Sequence, residues 1–124
     1  MDGLTYEEMA IQFGDFLEKW VKDCTSVRPP GGCTLHELQD QVWAAVMEIL
    51  ERQRASKTSV KKDKEGVVLA VTHFFPILST ICKSLGLDLS ECRRMRLDLA
   101  SICTLDFNPS SIVLVSLNDT CHLR

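Results

Sequence analysis

The sequence predicts an α/β fold in which helices pack against a sheet. Apolar residues recur at helical spacing in two long segments of the N-terminal half. The β-branched run Val67–Val71 follows without polar alternation, which is typical of a strand covered on both faces in a parallel sheet. Two later apolar runs, Ile102–Phe107 and Ile112–Leu117, flank Asn108-Pro-Ser-Ser111 and predict a β-hairpin with a four-residue turn. Helices combined with a buried strand imply a layered sheet.

The first two helices are predicted from capping boxes as well as from periodicity. Thr5 and Glu8 form the first box, so a helix is expected from about Tyr6 to Lys22. Thr34-Leu-His-Glu37 forms the second, with a helix to about Arg54. An apolar stripe facing one way is expected on the first helix, and a buried apolar face on the second. The stripes are Tyr6, Met9, Ala10, Phe13, Phe16, Leu17, Trp20 and Val21, then Leu35, Leu38, Val42, Ala45, Val46, Ile49 and Leu50.

Further helical pieces are predicted after the β-branched run. Pro76 suits a first helical turn, and the following residues continue to a stop at Gly86. Leu89–Arg94 is predicted as another short helical piece. Residues 55–66 are interpreted as a charged linker between the helical region and the sheet, although a basic run can also bind phosphate.

Length and charge limit the classes of protein that fit. The 124 residues suffice for a single domain with an ordinary core. A net charge of −3 gives no electrostatic footprint for nucleic acid or for an anionic membrane. The first residues lack the basic and apolar regions of a secretory signal, and the uncharged stretch Val67–Cys82 is too short to span a bilayer. We therefore expect no nucleic-acid or membrane partner and an intracellular, cytoplasmic location, with an organelle left open.

The six cysteines predict reduced, mostly buried thiols. They show no Cys-x-x-Cys pair and no Cys/His spacing typical of a zinc site. Their density lies below that of disulfide scaffolds. We expect no metal and no cofactor.

His73 is the main candidate site residue. It follows the predicted strand and begins the next helix, where ligands collect in open α/β sheets and where helical N–H groups favour an anion. A purely structural histidine is the alternative. The other polar candidates are weaker, because none has a catalytic partner at a recognised spacing. They are His36, His122, Ser101, Thr104 and Ser116.

Five fragments occur in the order of the motifs of one known family. They are Asp2-Gly-Leu-Thr-Tyr-Glu-Glu8, Arg28-Pro-Pro-Gly-Gly-Cys-Thr34, Val67-Val-Leu-Ala-Val-Thr-His73, Arg96-Leu-Asp-Leu-Ala-Ser101 and Leu117-Asn-Asp-Thr-Cys-His-Leu123. Together they resemble the histidine phosphatase superfamily, the phosphoglycerate mutase-like phosphatases. The resemblance corresponds to about the C-terminal two-thirds of such a domain, so we expect residues 1–124 to form one truncated domain. It implies a partial three-layer fold, with a mostly parallel sheet, an added C-terminal β-hairpin and flanking helices.

The resemblance also implies metal-independent hydrolysis of phosphomonoesters. In this family one His attacks phosphorus, a second His and two Arg hold the phosphoryl oxygens, and a carboxylic acid protonates the leaving oxygen. Only the second His maps onto this chain, at His73. The nucleophile belongs to an Arg-His-Gly signature, and no Arg-His pair occurs here. Phe74-Phe75 replaces Gly-Gly after the second His, Leu99 replaces an Asn, and Cys33 replaces a Glu.

These departures predict a phosphatase-like chain whose own enzymatic activity is in question. We expect it to be inactive alone, because the nucleophile and the general acid are absent, and to bind a small phosphorylated metabolite or phosphate weakly if at all. The alternative is a non-catalytic binding or regulatory module with the same fold. The family's first strand would pair with Val67–Val71, so we also expect an unpaired apolar edge there, with self-association through it.

Overall fold

The computed structural model describes residues 3–56 and 66–124, and its elements follow the predicted order of helices and hairpin. The described residues form three α-helices, a 3-10 helix, two strands and a short C-terminal 3-10 turn. They are α1 (Tyr6–Lys22), α2 (Leu35–Ser56), α3 (Phe74–Leu85), the 3-10 helix Leu89–Arg94, β1 (Ile102–Phe107), β2 (Ile112–Asp119) and the turn Cys121–Leu123. Among the described helices none combines the length and the apolar content that a bilayer crossing requires.

Helix α1 has the predicted bounds, and its apolar residues remain partly or fully accessible to solvent. The Thr5 hydroxyl accepts from the Glu8 backbone N–H, and the Glu8 carboxylate accepts from the Thr5 backbone N–H, so the capping box is complete. The backbone leaves helical geometry at Phe13, immediately before Gly14. No residue of α1 is buried, because the helix packs through its C-terminal end, where the Trp20 and Phe75 ring centroids lie 5.6 Å apart.

Helix α2 packs along α3 through a face that the periodicity only partly predicted. Leu35 is buried as expected, whereas Ala45 and Ile49 are exposed. The polar Gln39 is only 8% exposed, and its Nε2 donates to the Ser79 carbonyl oxygen at 3.0 Å. A buried amide is tolerated there because it is hydrogen bonded to the neighbouring helix.

The core is centred on α3. Leu78, Ile81 and Cys82 are essentially inaccessible to solvent and form one face of this helix. They pack with Leu35, Cys24, Leu89 and Cys92. The helix ends as predicted at Gly86, whose φ of 65° is the left-handed conformation in which glycine carries no steric penalty.

The hairpin is confirmed, with β2 two residues longer than expected. The strands are antiparallel, Phe107 pairs with Ile112, and the Asn108 N–H donates to the Ser111 carbonyl across the turn. Side chains alternate between half-buried and exposed along both strands. The Phe107 ring lies 6.5 Å from that of Trp43, so the half-buried face of the hairpin contacts α2.

The predicted buried strand at Val67–Val71 is not formed. Val67, Leu69 and Val71 are 84–91% exposed, and in the described residues the sheet consists of β1 and β2 alone. A strand requires a neighbour for its backbone N–H and C=O groups, and no described segment supplies one. The parallel, three-layer sheet is therefore not observed in these residues. Residues 55–56 of the proposed linker belong to α2, and residues 57–65 lie outside the described part of the chain.

Candidate phosphate site

His73 lies where the sequence places it, between the exposed apolar segment and α3. It is the N-cap residue of α3, with an extended backbone at φ −106° and ψ 173°. Its carbonyl accepts the N–H of Ile77 at 3.2 Å, which closes the first helical turn. The imidazole is exposed and makes no capping hydrogen bond, so the ring is accessible to a ligand beside the helix N-terminus.

The start of α3 offers an electropositive backbone. Pro76 has no N–H and Ile77 donates to His73, so the free donors of the first turn are the backbone N–H groups of Phe74 and Phe75. The first turn carries no acidic side chain. The positive end of the helix dipole is therefore not neutralised locally, and this arrangement favours an anion.

The two phenylalanines that replace Gly-Gly take different environments. Phe75 packs edge-on against Trp20 of α1, whereas Phe74 is 44% exposed. The two rings meet edge to face, with centroids 5.2 Å apart. The pair anchors the beginning of α3 to the end of α1 and leaves an aromatic ring at the helix start.

In the described residues, no hydrogen bond or ion pair joins the other predicted candidates to His73. His36 is exposed on α2. The pKa of Asp88 is lowered mainly by hydrogen bonds from Ser90 and to a smaller extent by the charge of His36. The His122 Nε2 lies 2.9 Å from the Ala100 carbonyl oxygen. Thr104 and Ser116 pair across the hairpin. Within residues 3–56 and 66–124, no group of three or more His, Cys, Asp or Glu is placed to hold a metal ion.

The turn before α2 is closed by its own side chains. Arg28 donates to the Gly32 carbonyl and pairs with the Glu37 carboxylate, which also accepts from the Thr34 backbone N–H at 2.9 Å. The hydrogen bond from Arg28 and then that from Thr34 lower the pKa of Glu37. This carboxylate is therefore engaged in capping α2, and Arg28 is held beside it.

Two of the family-like fragments interlock, a contact that the sequence reasoning missed. The Asn118 Oδ1 accepts from the Asp98 backbone N–H at 2.6 Å, and its Nδ2 donates to the Asp98 Oδ2 at 3.0 Å. Arg96 pairs with the other oxygen of Asp98 at 2.9 Å. Asn118, followed by Arg96, lowers the pKa of Asp98. The signal was present in the Arg-x-Asp and Leu-Asn-Asp fragments, but only the fold shows that they contact each other.

Comparison with known proteins identifies the lineage. A profile of the histidine phosphatase superfamily, branch 1, matches residues 1–120. The chain belongs to the histidine phosphatase superfamily. This confirms the resemblance carried by the five fragments. Their described parts lie at the cap of α1, in the turn before α2, at the start of α3 and in the contact between Asp98 and Asn118.

Individual curated proteins match almost the whole chain. Phosphoserine phosphatase 1 of Hydrogenobacter thermophilus is 26% identical over 121 residues, which cover 98% of this chain and 53% of that protein. A bifunctional protein of Mycobacterium tuberculosis and an uncharacterized protein of Mycobacterium bovis are each 31% identical, over 98% of this chain and 31% of their own length. The chain thus spans about half to a third of the length of these curated relatives.

Proposed function

We propose that His73 and the N-terminus of α3 hold the phosphoryl group of a small phosphomonoester, in the manner of a metal-independent histidine phosphatase. The observation that carries this proposal is the exposed imidazole beside two free backbone N–H groups, in a first turn without an acidic residue. The imidazole donates to one phosphoryl oxygen and the N–H groups of Phe74 and Phe75 donate to others. These donors stabilise negative charge on the phosphoryl group.

The proposed ligand class is a small phosphorylated metabolite. Membership of the superfamily supports a phosphate ester, and the phosphoserine phosphatase relative supports one the size of an amino acid. The exposed ring of Phe74 borders the helix start and leaves less room there than Gly-Gly would.

We further propose that these 124 residues alone do not turn over a phosphomonoester. The family's covalent mechanism needs a nucleophilic His in addition to the phosphate-holding one. No Arg-His pair occurs in the sequence, His122 contacts the Ala100 carbonyl, and no hydrogen bond or ion pair of the described residues joins His36 to His73. The expected chemistry of this chain is therefore binding of phosphate without hydrolysis.

Hydrolysis of p-nitrophenyl phosphate in the presence of a chelator tests the proposal. The 124-residue chain should release product at the rate of buffer, and His73→Ala and His36→Ala should be indistinguishable from it. Metal-independent turnover that His73→Ala abolishes and His36→Ala preserves would contradict the expected inactivity while supporting the assignment of His73.

A second candidate function is a non-catalytic binding module. It is favoured by the apolar segment Val67–Val71, because a run of exposed β-branched residues is a template for pairing with another strand. In this function the apolar segment provides the surface for self-association, and phosphate binding at His73 is not required. Its test is the state of association of the chain, considered below at the scale of the molecule.

A further inference from the structure

A pair of buried thiols lies away from His73 in the core. Cys24, in the loop between α1 and α2, is 3% exposed, and Cys92, in the 3-10 helix, is 2% exposed. The two side chains belong to the same buried cluster and line the same groove, although they are far apart in sequence. Each residue is therefore a redox-active neighbour of the other, which a lone cysteine would lack.

Arg93 donates a hydrogen bond to one of the two sulfurs, that of Cys24. Its Nε donates to the Cys24 Sγ at 3.4 Å, and the rest of its guanidinium donates to the carbonyls of Trp20, Val21 and Lys22 at the end of α1. The guanidinium is thus fixed by α1 while it contacts the Cys24 sulfur. A cationic donor on sulfur supports the negative charge that a thiol carries when it attacks.

A shallow groove of about 370 Å³ reaches both thiols from the surface. It is lined by Cys24 and Cys92 together with Trp20, Phe74, Arg93 and Met95, among others. A molecule as small as hydrogen peroxide needs no more space than such a groove provides. Burial in the core therefore does not isolate the pair from a small oxidant.

We propose that Cys24 and Cys92 form an intramolecular disulfide when the protein meets a hydroperoxide. The Cys24 thiolate attacks one peroxide oxygen, the O–O bond breaks, and hydroxide leaves, giving a sulfenic acid on Cys24. The Cys92 sulfur then attacks the Cys24 sulfur, and the S–O bond breaks with release of water that takes up the Cys92 proton. Two thiols lose two electrons and two protons, and one peroxide becomes two waters.

The environment of Cys92 makes it unsuited to the first attack. Burial, followed by the proximity of Cys24, raises the pKa of the Cys92 thiol to about 11. Because the thiolate is the attacking form, Cys92 reacts only once the sulfenic acid lies beside it. Metal binding is a poorer use of these sulfurs, since no set of three suitable ligands is arranged around an ion position in the described residues.

The disulfide would connect the loop after α1 to the 3-10 helix that follows α3. In the reduced chain α1 is held there by Arg93 and by the Trp20–Phe75 contact. Oxidation would make this attachment covalent, next to the helix start that carries His73. The pair is thus a modification site that fixes α1 to the rest of the fold.

Peptide mapping after oxidation tests the proposal directly. In Cys33→Ser protein, tryptic peptide 23–52 carries Cys24 as its one cysteine, and peptide 84–93 carries only Cys92. After brief treatment with hydrogen peroxide and alkylation, the monomer should lose two hydrogens in mass and the two peptides should be joined. The Cys33→Ser chain without peroxide should give the same peptides separate and alkylated.

Variants of single cysteines complete the test. Added to the Cys33→Ser chain, Cys24→Ser should abolish the joined peptide. Cys121→Ser, which changes the exposed cysteine, should leave the joined peptide at the level seen in the Cys33→Ser chain. If Cys24→Ser fails to fold, the map of the Cys33→Ser chain still decides the matter. The proposal is overturned if peptide 84–93 is alkylated as fully after peroxide as before, or if Cys92 is joined to another cysteine.

Discussion

At the scale of single residues, the backbone at Ala100 is the most informative feature. Its φ is 57°, in the left-handed region that residues with a Cβ atom rarely adopt. The Ala100 carbonyl oxygen lies 2.9 Å from the His122 Nε2, and the Ser101 N–H donates to the Asp98 carbonyl. These two contacts hold the turn in place before β1. The surrounding contacts therefore impose a conformation that alanine itself disfavours.

Ala100→Gly should stabilise the protein. Glycine adopts a positive φ without a steric penalty, so we expect the free energy of unfolding to rise by about 0.5–1 kcal/mol. The matched control is Ala45→Gly, at an exposed position within α2, which should lower it by about 1 kcal/mol. Urea denaturation of the three proteins measures both changes. A destabilised Ala100→Gly protein would show that the left-handed turn is not the conformation in solution.

At the scale of elements, a hydrogen bond from the Asn118 amide to the Asp98 carboxylate connects β2 to the segment before β1. Asn118 and Arg96 lower the pKa of Asp98 in the folded chain. The folded state therefore binds fewer protons than the unfolded one as the pH falls through the ordinary value of 3.8. The contribution of this link to stability is complete above that value and is lost as the pH falls through the lowered pKa.

Asn118→Gly should flatten this pH dependence. Glycine keeps the positive φ of 59° at this position but removes the amide that donates to Asp98. The urea midpoint of the wild type should fall between pH 5 and pH 2.5 by more than that of Asn118→Gly. Asp98→Asn should show the same flattening, because it removes the titrating group itself. Equal pH slopes in all three proteins would contradict the assigned role of Asp98.

Local signals in the sequence predict the elements better than they predict burial. The capping boxes at Thr5 and Thr34 and the stop at Gly86 involve residues within a few positions of each other, and the helix ends confirm them. The burial of Gln39 depends on a carbonyl forty residues away, and the exposure of Val67–Val71 depends on which strands are present beside it. A periodic pattern does not encode such long-range conditions. The buried strand was therefore predicted wrongly, as was the burial of Ala45 and Ile49 on α2.

At the scale of the whole molecule, we expect the exposed apolar segment Val67–Val71 to govern association between copies of the chain. Leu69 is 84% exposed, and its segment pairs with no strand among the described residues. An unpaired apolar backbone of this kind pairs readily with another chain. We expect the wild-type chain to self-associate with rising concentration.

Leu69→Lys should reduce this association. A charge placed in the segment opposes pairing between copies. Ile11→Lys is the matched control, since Ile11 is 85% exposed on α1 and should leave association unchanged. Sedimentation velocity over a concentration series distinguishes the outcomes. A wild type that remains monomeric, or two variants that associate equally, would remove the support for the binding-module function.

The position of the candidate site was predictable, but its surroundings were not. The sequence placed His73 at the start of a helix, and the structure confirms that position. The packing of Phe75 and the placement of His122 depend on contacts with α1 and with Ala100, which lie far away in the sequence. Family-like motifs predict the order of the elements along the chain, whereas the contacts that each element makes depend on how this chain packs.

Titration of the isotope-labelled chain with inorganic phosphate, followed by NMR, tests the central claim most directly. The account predicts saturable shifts of the Phe74 and Phe75 backbone amides together with the His73 imidazole, lost in His73→Ala and retained in His36→Ala. Phosphate that leaves these three groups unmoved, or that shifts the amides equally in His73→Ala, would contradict it.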